Sequence, residues 1–182
     1  MYKRQILTFH VPLYKEEKYK TFHLADNAFF QSLRRKPVII NTSRGEVIET
    51  NALLEALATG IISDAIIDVW ENEPNINLTL LNKVFLGTPH IAGYSADGKA
   101  NATRMSLDAL CRHFNLQADY RIIPPEPEQA QLTTSSMEEA YLKMYDPRRD
   151  SEALKAHPEL FEKLRGDYPL RREKNAYTIL CP

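Results

Sequence analysis

Four short apolar runs punctuate the first ninety residues, and between them the pattern changes to helical spacing. Gln5-Ile6-Leu7-Thr8-Phe9 reads as a buried strand, and a polar loop from His10 to Leu24 follows it. Asp26 caps a short helix that carries Phe29, Phe30 and Leu33 on one face. Pro37 opens a second strand, Val38-Ile39-Ile40, which ends at Asn41. A helix starts at Thr50 or Asn51, turns Leu53, Leu54 and Leu57 inward, and stops at Gly60. Ala65-Ile66-Ile67-Asp68-Val69 is the third strand, Leu78 to Leu81 a turn of helix, and Val84-Phe85-Leu86 the fourth strand, ending at Gly87. Near-continuous apolar strands alternating with helices predict a parallel α/β sheet covered on both faces.

Beyond this the pattern changes. A long helix is expected over Asp97 to Phe114, and Ile122-Ile123-Pro124-Pro125-Glu126-Pro127 is a stiff extended stretch. Next come a helical pattern from Met137 to Met144, the segment Tyr145-Asp-Pro-Arg-Arg-Asp150, a second helix around Glu159 to Leu164, and a strand-like end at 177–180. The expected division is 1–120 as an α/β unit, 121–129 as a proline-rich linker and 130–182 as a small α+β module.

Composition narrows the function classes. Of 182 residues, 43% are hydrophobic and 26% charged, with a net charge of -1, the profile of a globular domain. Nothing global draws the chain to nucleic acid or to an anionic membrane, and Lys143 to Lys174 mixes both signs of charge like an ordinary solvated surface. No apolar stretch approaches membrane-spanning length, and Met1 to Gln5 does not read as the start of a signal peptide. The two cysteines, Cys111 and Cys181, make neither a disulfide framework nor a metal pair, so a cytoplasmic setting is expected, with Cys181 near a mobile end.

The chemistry sits in three segments: Asn-Thr-Ser-Arg-Gly at 41–45, Asp-Val-Trp-Glu-Asn-Glu-Pro at 68–74, and Gly-Thr-Pro-His-Ile-Ala-Gly-Tyr at 87–94. Each lies where an apolar run meets turn residues, the place where parallel sheets put their ligands. Arg44 can hold a carboxylate with two parallel hydrogen bonds and polarise a neighbouring oxygen. His90 can move a proton, and Glu73 can hold its ring in one orientation; Glu71 is an equally plain candidate by composition. Asp68 can accept a hydrogen bond from a ribose or an amide, or cap a loop. Tyr94 can offer its hydroxyl to a polar substrate group, although packing is the plainer reading. Taken singly, each residue has an ordinary structural explanation. Arginine, carboxylate and histidine in order, all at strand ends, make a set suited to oxidising a hydroxy acid.

That set resembles the D-isomer-specific 2-hydroxyacid dehydrogenases. Further residues carry the likeness: Phe9-His10-Val11-Pro12-Leu13, Tyr19-Lys20-Thr21 with His23-Leu24-Ala25-Asp26, and His90-Ile-Ala-Gly-Tyr-Ser95 with Gly98-Lys99-Ala100. Tyr145-Asp-Pro-Arg-Arg-Asp150 and Phe161 to Glu173 resemble the C-terminal dimerisation module of one branch of that family, which acts on a phosphorylated hydroxy acid and feeds pyridoxal phosphate biosynthesis. The resemblance implies a partial Rossmann-like sheet, the second half of an NAD-binding domain, followed by that module, and a homodimer formed through it. Arg44, Glu73 and His90 would be catalytic. Thr42, Ser43, Arg44, Asp68 and Gly93 would contact the nicotinamide side of NAD, and Tyr94 would contact the phosphorylated substrate.

The family's Gly-x-Gly-x-x-Gly loop cannot be drawn through the glycines at 45, 60, 87, 93, 98 and 166, and in the family it precedes everything seen here. The first strand, interior in the family's sheet, would then present an edge. Val11, Glu49 and Asn72 stand where relatives often have threonine, aspartate and glycine. Two further readings stay open: a non-catalytic fragment that at most dimerises, and an NAD-sensing corepressor-like binding protein.

Overall fold

The computed structural model describes residues 5–16 and 18–180; Met1 and Cys181 lie outside them. The chain forms two compact units that interleave in sequence, one from residues up to Ile91 together with Pro147–Asp167, the other from Ala92–Asp146 with Tyr168 onward.

The first unit is built on a four-stranded parallel sheet, β1 (Ile6–Phe9), β2 (Val38–Asn41), β3 (Asp64–Ile67) and β4 (Leu86–Gly87), adjacent in chain order. The register aligns Phe9, Asn41, Ile67 and Gly87 in one row. Helices α1 (Asn27–Gln31), α2 (Thr50–Ala58) and α3 (Leu78–Lys83) make the crossovers. Three right-handed crossovers that step in one direction deliver all three helices to one face. Phe9, Ile39, Ala65 and Ile67 on that face share a core with Phe30, Leu53, Ala56, Leu80 and Leu81. The alternate residues Ile40, Ile66 and Leu86 are only half-buried. The expected parallel α/β sheet is present, with the three crossover helices on one face and partial burial on the other. β1 is an edge strand, and Ile6 is 58% exposed.

The sequence signals placed the elements well and their ends less well. Asp26 caps α1 by accepting a hydrogen bond from the Phe29 N–H at 2.8 Å. Gly60 ends α2 at φ +70, a conformation that costs glycine nothing. Val84 caps α3 rather than opening β4, and Phe85 beyond it is 61% exposed.

The segment 147–167 packs with the sheet. Helix α6 (Pro147–Ala156) and, further on, helix α7 (Phe161–Gly166) turn Leu154 and Phe161 into the core of the first unit. Ser151 Oγ accepts a hydrogen bond from the Gly87 N–H at 3.1 Å, and Lys155 Nζ donates to the Val84 carbonyl at 2.8 Å. Helix α6 was missed because its inward face is one serine and one leucine among charges. Pro147 at its first position, where no N–H partner is needed, was the available signal.

The second unit contains helix α4 (Ala96–Phe114), strand β5 (Gln131–Thr133), helix α5 (Met137–Met144) and strand β6 (Thr178–Leu180), which pairs parallel with β5. Ser95 caps α4 by accepting from the Gly98 N–H at 2.9 Å, and its hydroxyl donates to Glu173 at 2.6 Å. The Arg172 guanidinium forks onto Asp97, with bonds of 2.9 and 3.1 Å, and these bonds hold the Asp97 carboxyl below its usual range. Ser136 caps α5 by accepting from the Glu139 N–H, while the Glu139 carboxylate accepts from the Ser135 N–H and hydroxyl, and these Ser135 bonds hold Glu139 down at about 2.

If 147–167 belongs to the core as described, Leu154→Ala, at a fully buried site, lowers the free energy of unfolding by about 2–5 kcal/mol. Leu110→Ala on the exposed face of α4 changes it by under about 1 kcal/mol. Urea denaturation of both variants measures this; equal small losses would place α6 outside the core.

Candidate active site

Strands β2, β3 and β4 end in the three segments singled out by sequence, and the loops they feed meet around Trp70. After β2, the buried Asn41 organises the turn. Its Nδ2 donates to the Arg44 carbonyl at 2.9 Å, and its Oδ1 accepts from the Ser43 N–H at 3.1 Å and the Ser43 hydroxyl at 2.9 Å. Arg44 is thereby presented outward and exposed, with Thr42 and Ser43 half-buried behind it. A Cβ on Gly45 would lie 2.0 Å from the carbonyl carbon and oxygen of Trp70, so only glycine permits this approach.

After β3, each residue of the loop takes a different task. Asp68 is buried, and its Oδ1 accepts from the Thr88 hydroxyl at 2.7 Å and the Ile91 N–H at 2.8 Å. Trp70 is 4% exposed, and its indole N–H donates to the Thr88 carbonyl at 2.9 Å. Glu73 Oε1 accepts from the Trp70 N–H at 2.8 Å, while its Oε2 pairs with His90 Nδ1, also at 2.8 Å. Asn72 has φ +62, a left-handed position that glycine fills most easily and asparagine tolerates.

Of the two glutamates in this loop, Glu73 is the one bonded to His90. Glu71 faces away from His90: its Oε1 pairs with His23 Nε2 at 2.7 Å and its Oε2 accepts from the Thr50 N–H at 2.8 Å. Burial works to raise its carboxyl, but the bonds from Thr50 and His23 outweigh it and hold it below the ordinary carboxylate range. Glu49 makes no side-chain cap on α2, and Glu71 supplies that bond from twenty-one positions away.

After β4, His90 sits at φ +57 with its side chain 25% exposed. Its Nδ1 bond to Glu73 leaves Nε2 without a hydrogen-bond partner among the described residues. Gly93 and Tyr94 fall in the second unit. A side chain on Gly93 would meet nothing within 4 Å, and the Tyr94 ring meets Tyr168 edge-on at 6.2 Å, with Lys99 Nζ 4.4 Å from its centre. Asn41, Trp70, Thr88 and the Glu71–His23 pair were not picked out by sequence reasoning. Asn41 alone had a readable signal, an asparagine at a strand end followed by Thr-Ser.

Residues 1–92, just over half of the chain, match the family model for the NAD binding domain of D-isomer specific 2-hydroxyacid dehydrogenases. The chain belongs to that family. A second match, to a domain of unknown function (DUF3410), covers residues 126–182. Erythronate-4-phosphate dehydrogenase of Bacteroides fragilis is 71% identical over 178 residues, 98% of this chain and 51% of that protein. The chain therefore spans about half the length of the curated relatives it matches. Among solved structures, the apo form of D-mandelate dehydrogenase from Rhodotorula graminis is 31% identical, with a TM-score of 0.52 over 66% of this chain and 36% of that one. D-Lactate dehydrogenase from Aquifex aeolicus, complexed with NAD and lactic acid, is 26% identical, with a TM-score of 0.50 over 61% of this chain and 37% of that one.

Two outcomes follow from the geometry. Gly45→Ala forces the loops after β2 and β3 apart and costs at least about 1–3 kcal/mol, whereas Gly166→Ala, with nothing within 4 Å, stays within about 1 kcal/mol. Chemical denaturation of the two variants measures the difference. The lowered Glu71 carboxyl contributes stability that is complete above its ordinary value of 4.5 and is lost as pH falls through its lower folded value. The stability gap between the parent chain and Glu71→Gln therefore narrows below about pH 4.5; a gap constant from pH 7 to pH 3 would contradict the assignment.

Proposed function

We propose that this chain carries the catalytic, nicotinamide-side part of an erythronate-4-phosphate dehydrogenase, oxidising 4-phospho-D-erythronate to 2-oxo-3-hydroxy-4-phosphobutanoate with NAD in pyridoxal phosphate biosynthesis. The observation that carries the reading is the Glu73–His90 pair at 2.8 Å, bonded through Nδ1 and leaving Nε2 for a substrate hydroxyl. The name and 71% identity of the Bacteroides fragilis relative support the choice of substrate.

In this reading the exposed Arg44 guanidinium forks onto the substrate carboxylate and polarises the C2 oxygen. His90 Nε2 takes the C2 hydroxyl proton as the C2 hydrogen leaves with its electron pair and the C2–O bond becomes a carbonyl. Glu73 keeps Nδ1 protonated, so that Nε2 is the accepting nitrogen. NAD, when bound, supplies the hydride acceptor. Thr42, Ser43, Asp68 and Gly93 would hold its nicotinamide side. Within the first unit, hydroxyls at the end of β2 and a buried carboxylate at the end of β3 support this reading of that half of the cofactor. Tyr94 would contact the phosphorylated substrate. Residues after about 125 would pair two copies into a homodimer, and the cysteine count suits a cytoplasmic enzyme. Among the described residues no helix is long and apolar enough to cross a membrane.

The test is calorimetric titration of the chain with NADH, followed by assay with 4-phospho-D-erythronate and NAD. Saturable binding and turnover are expected, with His90→Gln lowering kcat by about 10²–10⁴ while leaving NADH binding intact. Arg44→Gln lowers kcat/KM by about 10²–10³. Binding without turnover would identify a non-catalytic half, and a folded chain that binds neither ligand overturns the proposal. Light scattering tests the dimer; a monomer at all concentrations rules it out.

A further inference from the structure

Trp70 stands between the two loops that carry Arg44 and His90 and touches both through different atoms. Its carbonyl is the surface against which Gly45 packs, so closely that a Cβ there would sit 2.0 Å away. Its indole N–H holds the Thr88 carbonyl at 2.9 Å, two residues before His90. Its ring also closes on Gly87, where a Cβ would lie 2.9 Å from Cη2 and Cζ2. Its own N–H binds the Glu73 oxygen that does not hold His90.

We propose that Trp70 is a positioning residue that fixes the separation of Arg44 and His90, its carbonyl seating the Arg44–Gly45 turn and its indole seating the Thr88–His90 turn. The physical reason is redundancy of direction. The Asp68 carboxylate restrains the far end of the His90 turn through Ile91, and Glu73 restrains the ring itself. At the start of the turn Asp68 also accepts from the Thr88 hydroxyl and Ile67 accepts from the Thr88 N–H, which hold that residue to β3. The Thr88 carbonyl, which leads into Pro89 and His90, is held by the indole, and that bond ties it to the backbone on which the Arg44 turn rests. A hydroxy acid held by Arg44 at its carboxylate and by His90 at its hydroxyl needs that separation to within about an ångström, because small misplacements cost large factors in rate. The turn at His90 runs through a left-handed residue, φ +57, and so depends on external bonds to stay as it is.

The inference rests on reading His90 as the proton-transfer group, but its test reads the imidazole directly. Trp70 is the only tryptophan in the chain, so growth with β-(3-benzothienyl)alanine replaces it alone, exchanging the indole N–H for sulfur within the same ring outline. Imidazole ¹⁵N spectra, assigned with His90→Gln, then report each ring. In the parent chain the contacts predict a protonated, exchange-protected Nδ1 on His90 and, for His23, bonded to Glu71 through Nε2, the opposite tautomer. The expected result is loss of the protected Nδ1–H signal of His90, with mixed tautomers, while the His23 pattern is unchanged. Trp70→Phe gives the same change if it folds, and the analogue carries the test if it does not. An unchanged His90 pattern overturns the proposal, as does equal disturbance of both histidines, which would make Trp70 a general packing residue. Failure of NADH to bind would count against the proposed function and leave this result standing.

Discussion

The close approach of Gly45 to the Trp70 carbonyl is the constraint from which the site is built. It brings the loop after β2 into backbone contact with the loop after β3, with no room for a side chain between them. Two loops pressed together this tightly cannot hydrate their polar groups, so those groups must be satisfied in place. Asn41 does this for the Arg44 turn with three bonds, and Asp68 does it for the His90 turn with two. The buried polar residues are therefore part of the packing, and the Arg44 and His90 side chains are what remains when the packing is complete.

The same logic explains how two glutamates two residues apart come to do unrelated work. Around the left-handed Asn72 the chain reverses, so Glu71 and Glu73 leave the loop on different sides. Glu71 is spent on architecture: it caps α2 and fixes His23, whose N–H in turn reaches the Glu46 carbonyl. Glu73 closes a small ring of its own, from the Trp70 N–H to His90. No sequence property separates them, since both are half-buried carboxylates flanking one turn. The separation comes from backbone direction alone.

What could be read from the chain follows the range of the interaction responsible. Apolar runs and caps such as Asp26 and Gly60 are local, and they marked the strands and helices to within a few residues. The order arginine, carboxylate, histidine was legible because parallel strands put their chain ends at one edge of the sheet. Trp70 was not, because its task depends on a carbonyl eighteen positions later and a glycine twenty-five positions earlier. Helix α6 was not, because Ser151 and Leu154 make too short an inward stripe to announce a helix that docks sixty-four positions from its partner. The boundary expected between 121 and 129 rested on composition, and composition does not report that 147–167 folds back onto the first unit.

The relation between affinity and chemistry in this fold can be argued from where the bonds close. Every hydrogen bond described for Glu73, Thr88 and His90 has its partner between residues 67 and 91. The geometry of the Glu73–His90 pair is therefore set within one stretch of chain. In the family the pyrophosphate-binding glycine loop lies outside that stretch, so what tightens the grip on a dinucleotide and what orients the imidazole are separate pieces of structure. Binding energy gathered on the remote half of a cofactor accelerates a reaction only if it is converted into correct placement at the reacting atoms. Under the proposed function the receiving end of that conversion is tied down in three places: a histidine bonded to a carboxylate, a turn bonded to an indole, and an arginine loop pressed against the same backbone.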